Sequence, residues 1–183
     1  ANLTVGHYLP SWHPYEDYRD SYASRKDFGG GVIRTLCHEI DLVQHFFGKI
    51  RKVFAKVDKL SCLEIDVDDV VDIMIEADYC KRTLIHMDYL SPIPVREGKI
   101  LFEKGLLEYS CNRGEIYFTD YVSKQNEVIF KNTEDYDEQY ASQMKSFING
   151  NSNTACMLEE GIEVMRVIQC CEESSRTGEE ICL

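Results

Sequence analysis

The chain has 183 residues, 44% of them apolar, and a formal net charge of -12. That length buries one sizeable core, so a single domain over 1–183 is expected. The acidic balance excludes a basic surface large enough for nucleic acid or an anionic membrane, and the chain has neither an apolar run of transmembrane length nor a signal-peptide pattern.

The eight cysteines are scattered, with no C-x-x-C pair and with Cys170 and Cys171 adjacent. Zinc-site spacing is absent and no metal is expected. They read as reduced, mostly buried thiols of a cytoplasmic protein. The chain opens on Ala1 and runs straight into a strand-like stretch, as a piece of a longer protein would.

Leu3 to Leu9 alternates as a strand, which Pro10 ends. The loop S-W-H-P-Y-E-D-Y-R-D-S-Y follows, dense in groups that hold polar ligands: Trp12, His13, Tyr15, Asp17, Tyr18 and Arg19. Asp27 to Gly48 reads as one organising helix opened by Gly29, Gly30 and Gly31 and stopped by Gly48. Val32, Ile33, Leu36, Cys37, Ile40, Val43 and Phe47 recur at helical spacing. Arg34, His38, Asp41 and His45 form a polar strip on the other face. A His and an Asp one turn apart suit proton transfer, and a solvated face has the same spacing. The three glycines at a helix start could also receive an anion.

Ile50–Asp58 reads as a strand. E-I-D-V-D-D-V-V-D comes next; its aspartates lack the turn glycine of a calcium loop. Strands are expected at Val70–Ala77, Lys81–Leu90, Lys99–Glu103, Gly105–Ser110, Glu115–Asp120 and Glu127–Lys131. On Lys81–Leu90, Thr83, Ile85, Met87 and Tyr89 share one face and Leu84, His86, Asp88 and Leu90 the other. Helices are expected at Asp135–Ile148 and Met157–Cys171, separated by N-G-N-S-N, and G-E-E-I-C-L is a short tail. The fold class is α+β, an open, mostly antiparallel sheet with helices packed on one face. The phosphate-loop, dinucleotide-fingerprint, nucleophile-elbow and metalloprotease motifs are all missing.

G-H-Y-L-P-S-W-H-P-Y-E-D-Y-R, then G-G-G-V-I-R-T-L-C-H-E-I-D-L-V-Q-H-F-F-G, H-M-D-Y-L and the closing E-G-I-E-V-M-R-V-I-Q and S-S-R-T-G-E-E occur in that order. Together they resemble the C-terminal domain of the glucose–fructose oxidoreductase/inositol dehydrogenase/MocA family over nearly the whole chain. The resemblance implies the substrate-binding and oligomerisation half of an NAD(P)-dependent oxidoreductase acting on a sugar, sugar nucleotide or cyclitol hydroxyl, inactive alone. The N-terminal Rossmann domain, absent here, would hold NAD or NADP and supply a catalytic lysine, so no cofactor is expected in this chain. His38 matches the family's histidine beside the substrate hydroxyl, and Asp41 its acidic residue three further on. Where many members carry an aspartate one turn before the histidine, this chain has Arg34 and Thr35. Tyr8, Trp12, His13, Asp17, Tyr18, Arg19, Arg34 and Thr35 are the implied substrate contacts. The 8–19 loop resembles a subgroup associated with sugar nucleotides and nonulosonic-acid-type surface sugars. A homodimer or homotetramer through the sheet face is implied. A non-catalytic carbohydrate-binding or structural oligomerisation module is the alternative.

Overall fold

The first strand of the chain lies inside the sheet, flanked by strands far away in sequence. A computed structural model describes residues 1–133, 136–150 and 156–183. Its strands are Asn2–Gly6 (β1), Ile50–Asp58 (β2), Val70–Ala77 (β3), Thr83–Asp88 (β4), Val95–Leu101 (β5), Gly105–Ser110 (β6), Glu115–Asp120 (β7), Asn126–Lys131 (β8) and Ile181–Cys182 (β9). They form one nine-stranded sheet in the order β8-β7-β6-β5-β1-β4-β3-β2-β9. β1 runs parallel to β4, with Leu3 opposite Ile85, and antiparallel to β5, with Val5 opposite Arg96. Every other pairing is antiparallel. The sheet is therefore mixed, and mostly antiparallel as its short connections led one to expect.

The helices are Leu9–Trp12 (α1), Val32–Thr35 (α2), His38–Phe47 (α3), Tyr136–Ile148 (α4) and Leu158–Thr177 (α5). α3 and α5 cover one sheet face. Ile40 and Val43 of α3, with Val164, Val167 and Ile168 of α5, close the core over Leu3, Val53, Ile73 and Ile85. The period-two pattern of β4 sorts as its sequence dictates: Thr83, Ile85, Met87 and Tyr89 are buried, while Leu84 and His86 face the uncovered side.

Several boundaries differ from expectation. The single long helix breaks at Leu36–Cys37 into α2 and α3, because Leu36 leaves helical geometry at φ -104°, ψ 27°. β1 stops at Gly6, and Pro10, expected only to end a strand, sits in the first turn of α1, where its missing N–H costs nothing. β5 begins at Val95, and α5 continues to Thr177, ended by Gly178 at φ 75°. The tail is not idle. β9 pairs with Lys52 and Val53 of β2. Beyond it, Ser174 Oγ accepts from Ala55 N at 3.0 Å and Ser175 Oγ from Val57 N at 2.9 Å, so α5 satisfies the rest of that edge. On α4, Tyr140, Met144 and Phe147 are exposed. Asp135 and residues 151–153 of the expected break lie outside the described residues.

The cysteines are unpaired, but only Cys171 is buried; Cys62, Cys111, Cys156 and Cys182 are exposed. The expectation of mostly buried thiols is corrected, because their strands and loops lie at edges that α3 and α5 do not cover. Among the described residues no helix is long and apolar enough to cross a membrane.

Candidate functional site

The parallel pairing of β1 and β4 brings their last residues, Gly6 and Asp88, to one edge of the sheet, where β5 begins. The 7–31 loop leaves from that edge. α3 starts near it: Glu39 in its first turn reaches Arg96 near the start of β5. The sequence's candidate residues fall into separate clusters here.

The first is an aromatic ladder. Trp12 stacks on His13 with centroids 5.1 Å apart and meets His7 edge-on at 5.6 Å. His13 Nδ1 is 2.9 Å from Tyr15 Oη. Burial, then the charge of His13, holds the His7 imidazole below its ordinary value. Tyr8, beside His7, is exposed.

The second is a charge clamp. Asp17 accepts from Arg19 Nε at 2.9 Å and Nη2 at 2.5 Å, and Glu64 accepts from Arg19 Nη1 at 2.9 Å. Tyr18 Oη accepts from Glu64 N at 3.3 Å. These bonds lower the Asp17 carboxyl to about 2. Asp17, Tyr18 and Arg19 thus strap the loop to residue 64, and the Arg19 fork is filled.

The break between α2 and α3 divides the polar strip. Arg34 Nη2 donates to Glu172 of α5 at 2.5 Å. Thr35 turns its hydroxyl inward, where it is buried with no hydrogen-bond partner among the described residues. Asp41 accepts from the Cys156 thiol at 3.7 Å. His45 packs edge-on against Phe46 at 5.5 Å. His38 is exposed, with no hydrogen-bond partner among the described residues. No bond or ring contact among the described residues joins it to the Trp12 ladder.

The glycine turn is filled from within. Gly30 N donates to Arg25 O, Gly31 N to Ala23 O and Val32 N to Asp68 O. Asp68 Oδ2 accepts from Ile33 N at 2.9 Å. A carboxylate therefore stands where an anion would bind, and the turn does not fit a dinucleotide pyrophosphate. Gly31 is required there: its φ is 113°, and a Cβ would lie 2.3 Å from Asp68 Oδ1.

The acid-rich 64–72 segment has the same character. Asp66 accepts from Lys26 N, buried Asp69 from Leu60 N and Ser61 N, and Asp72 lies 2.8 Å from His86 Nδ1. Among the described residues no cluster is arranged to hold a metal ion.

Sequence reasoning passed over one pair. Glu39 is wholly buried, and its Oε1 accepts from Arg96 Nε at 2.7 Å. Burial pushes the Glu39 carboxyl up, against the opposing pull of Arg96 and a smaller one from His38. The signal was present: Glu39 stands one turn before Val43 and two before Phe47, on the apolar stripe, where an acid needs a buried partner.

Residues 2–108 match the model of the GFO/IDH/MocA C-terminal domain. The chain belongs to that family. No curated protein matches it. Solved structures reproduce the GFO/IDH/MocA fold seen here. A levoglucosan dehydrogenase in complex with NADH and levoglucosan aligns with a TM-score of 0.84 at 14% identity, over 100% of this chain and 57% of that one. A putative oxidoreductase from Thermotoga maritima gives 0.76 at 17%, over 100% and 54%. The WlbA dehydrogenase from Bordetella pertussis, in complex with NADH and UDP-GlcNAcA, gives 0.69 at 18%, over 100% and 54%. This GFO/IDH/MocA chain spans little more than half the length of each structure it matches.

Proposed function

We propose that this chain is the substrate-binding and assembly half of an NAD(P)-dependent oxidoreductase acting on a hydroxyl of a sugar, sugar nucleotide or cyclitol. The observation that carries the reading is His38, an exposed imidazole without a partner at the start of α3, beside the edge where β1 and β4 end. Oxidising a secondary alcohol needs a base for the hydroxyl proton and a fixed approach of the carbon to the hydride acceptor. His38 takes that proton. The face of Trp12 and the exposed ring of Tyr8 offer a platform for a sugar ring. Asp41 follows one turn along α3, its carboxylate accepting from the Cys156 thiol rather than from His38.

A nicotinamide supplies the hydride acceptor when bound. The internally satisfied glycine turn supports its being held by a further, Rossmann-type domain of the whole protein. A cytoplasmic location fits eight unpaired thiols. The uncovered sheet face supports a homodimer. It holds a groove of about 410 Å³ lined by Phe54, Met74 and Leu84 with Lys56, Asp72 and His86, apolar and carrying both signs of charge.

The test is His38→Ala in the whole protein, assayed with NAD and NADP against a panel of aldoses, cyclitols and sugar nucleotides. Turnover falls by about 10²- to 10⁴-fold if His38 is the base. Unchanged turnover with a raised KM removes the proton role and leaves binding. Absence of any nicotinamide-linked oxidation in the unaltered protein favours the non-catalytic module.

A further inference from the structure

An arginine is available to a ligand only when its fork is not already filled. Around this site Arg19 is clamped by Asp17 and Glu64, Arg25 is paired with Asp27 and lies over the Phe28 ring, and Arg34 is paired with Glu172. Arg96 differs. Its Nε alone is bound, to Glu39, and its side chain remains 35% exposed. Among the described residues no acceptor is bonded to its two Nη groups. Glu39 is fully buried on α3 next to His38, and its second oxygen, Oε2, has no hydrogen-bond partner among the described residues. Glu39 follows His38 at the start of α3, so the Arg96 fork is held against the turn of helix that carries the free imidazole.

The backbone keeps the fork in place. Asn112 Oδ1 accepts from Arg96 N at 2.9 Å, and Asn112 Nδ2 donates to Pro94 O at 2.9 Å, tying the start of β5 to the β6–β7 turn. Tyr109 lies across Gly98 on the same face; a Cβ on Gly98 would come within 2.3 Å of the ring. Burial, with the charge of Glu39 adding to it, pushes the Tyr109 phenol up, and its buried hydroxyl takes no hydrogen bond from Arg96 among the described residues.

Resting on the reading of this edge as the substrate site, we propose that Arg96 recognises an oxyanion substituent of the substrate, a sugar carboxylate or a sugar phosphate, through its two Nη groups. Glu39 is the positioning residue that fixes the guanidinium by Nε. Two parallel N–H groups match an oxyanion in a way that an ammonium cannot. This also gives the site a two-point polar anchor that Arg19, clamped on both sides, and Arg34, whose Nη2 is held by Glu172, do not supply.

The experiment titrates the whole protein, saturated with its nicotinamide coenzyme, with D-glucuronate, D-glucose 6-phosphate and D-glucose by calorimetry. At least one anion binds about 10- to 100-fold more tightly than glucose, the size of a charge-assisted two-point bond, and which anion does so identifies the source of the oxyanion. Arg96→Lys keeps the charge and loses most of the preference. Arg96→Gln alone strands a buried carboxylate, so the double variant Glu39→Gln/Arg96→Gln carries the test: it folds, binds glucose as before and shows no preference. Glu39→Gln alone retains it. No binding of either anion, or a preference that survives the double substitution, overturns the proposal. His38→Ala separates it from the base reading. A preference that persists while turnover is unaffected sinks only the base. A preference missing from a protein that His38→Ala inactivates sinks only Arg96.

Discussion

Asp68 caps the first turn of α2 by accepting from Ile33 N at 2.9 Å, while its own carbonyl accepts from Val32 N at 3.1 Å. A loop between β2 and β3 thereby fills a helix start that three glycines made look like an anion cradle. Asp68→Ala removes the side-chain bond and leaves a part-buried N–H. The expected cost is about 1–3 kcal/mol, a fall in Tm of roughly 2–12 °C for a domain of this size. Asp68→Asn keeps an acceptor and loses less. Burial holds the Asp68 carboxyl above its ordinary value of 3.8. The unfolded chain therefore releases that proton first, and the stability contributed through it declines as pH rises from the ordinary value through the raised one. Asn lacks that slope, so the deficit of Asp68→Asn shrinks across the window. Denaturant melts on either side of the window check both the size and the sign.

The Asp17–Arg19 clamp has the opposite dependence. The Asp17 carboxyl is lowered from 3.8 to about 2 by the Arg19 bonds. Its support of the loop is complete above the ordinary carboxylate range and disappears as pH falls towards about 2. Asp17→Asn abolishes this acid limb while Glu64 still holds Arg19 Nη1. Because the pair is exposed, the global melting temperature barely moves. The readout is the carboxyl carbon shift of Asp17 with the amide shifts of residues 12–19. An Asp17 titration at its ordinary value rules the clamp out in solution.

The uncovered sheet face sets a third expectation. Leu84 is exposed between Asn2 of β1 and Met74 of β3, at the groove that also holds Phe54. If a second copy covers this face, Leu84→Glu places a carboxylate in the contact and raises the dimer Kd by at least ~10-fold, since burying one leucine is worth about 1.5–3 kcal/mol. Light scattering across a concentration series of the whole protein measures it. A dimer constant that Leu84→Glu leaves unchanged rules out this face as the interface.

Much of the architecture was legible because its determinants are local. Alternation in V-V-D-I-M-I-E-A and T-L-I-H-M-D specifies strands and says which side chains go inward. The 3.6-residue stripe through Ile40, Val43 and Phe47 specifies a helix with a buried face. The family, too, could be read from motifs in a fixed order. Helix and strand ends were less legible where a distant partner sets them: the Leu36 break, which lets both α2 and α3 keep apolar faces inward, and the pairing of Ile181–Cys182 with β2.

The site divides along the same line. The sequence by itself determined that His38 and Asp41 stand one turn apart on a helix, that Trp12 and His13 lie in a loop before it, and that the chain is acidic and rich in thiols. Only the tertiary structure decided which of these groups are free. Whether a charged side chain is available depends on partners tens of residues away: Glu64 for Arg19, Glu172 for Arg34, Asp68 for the glycine turn and Glu39 for Arg96. Those partnerships are set by sheet order and helix crossing, with the unfavourable desolvation of an unpaired buried charge adding to them at Glu39 and Asp68, and a one-dimensional pattern carries no record of them.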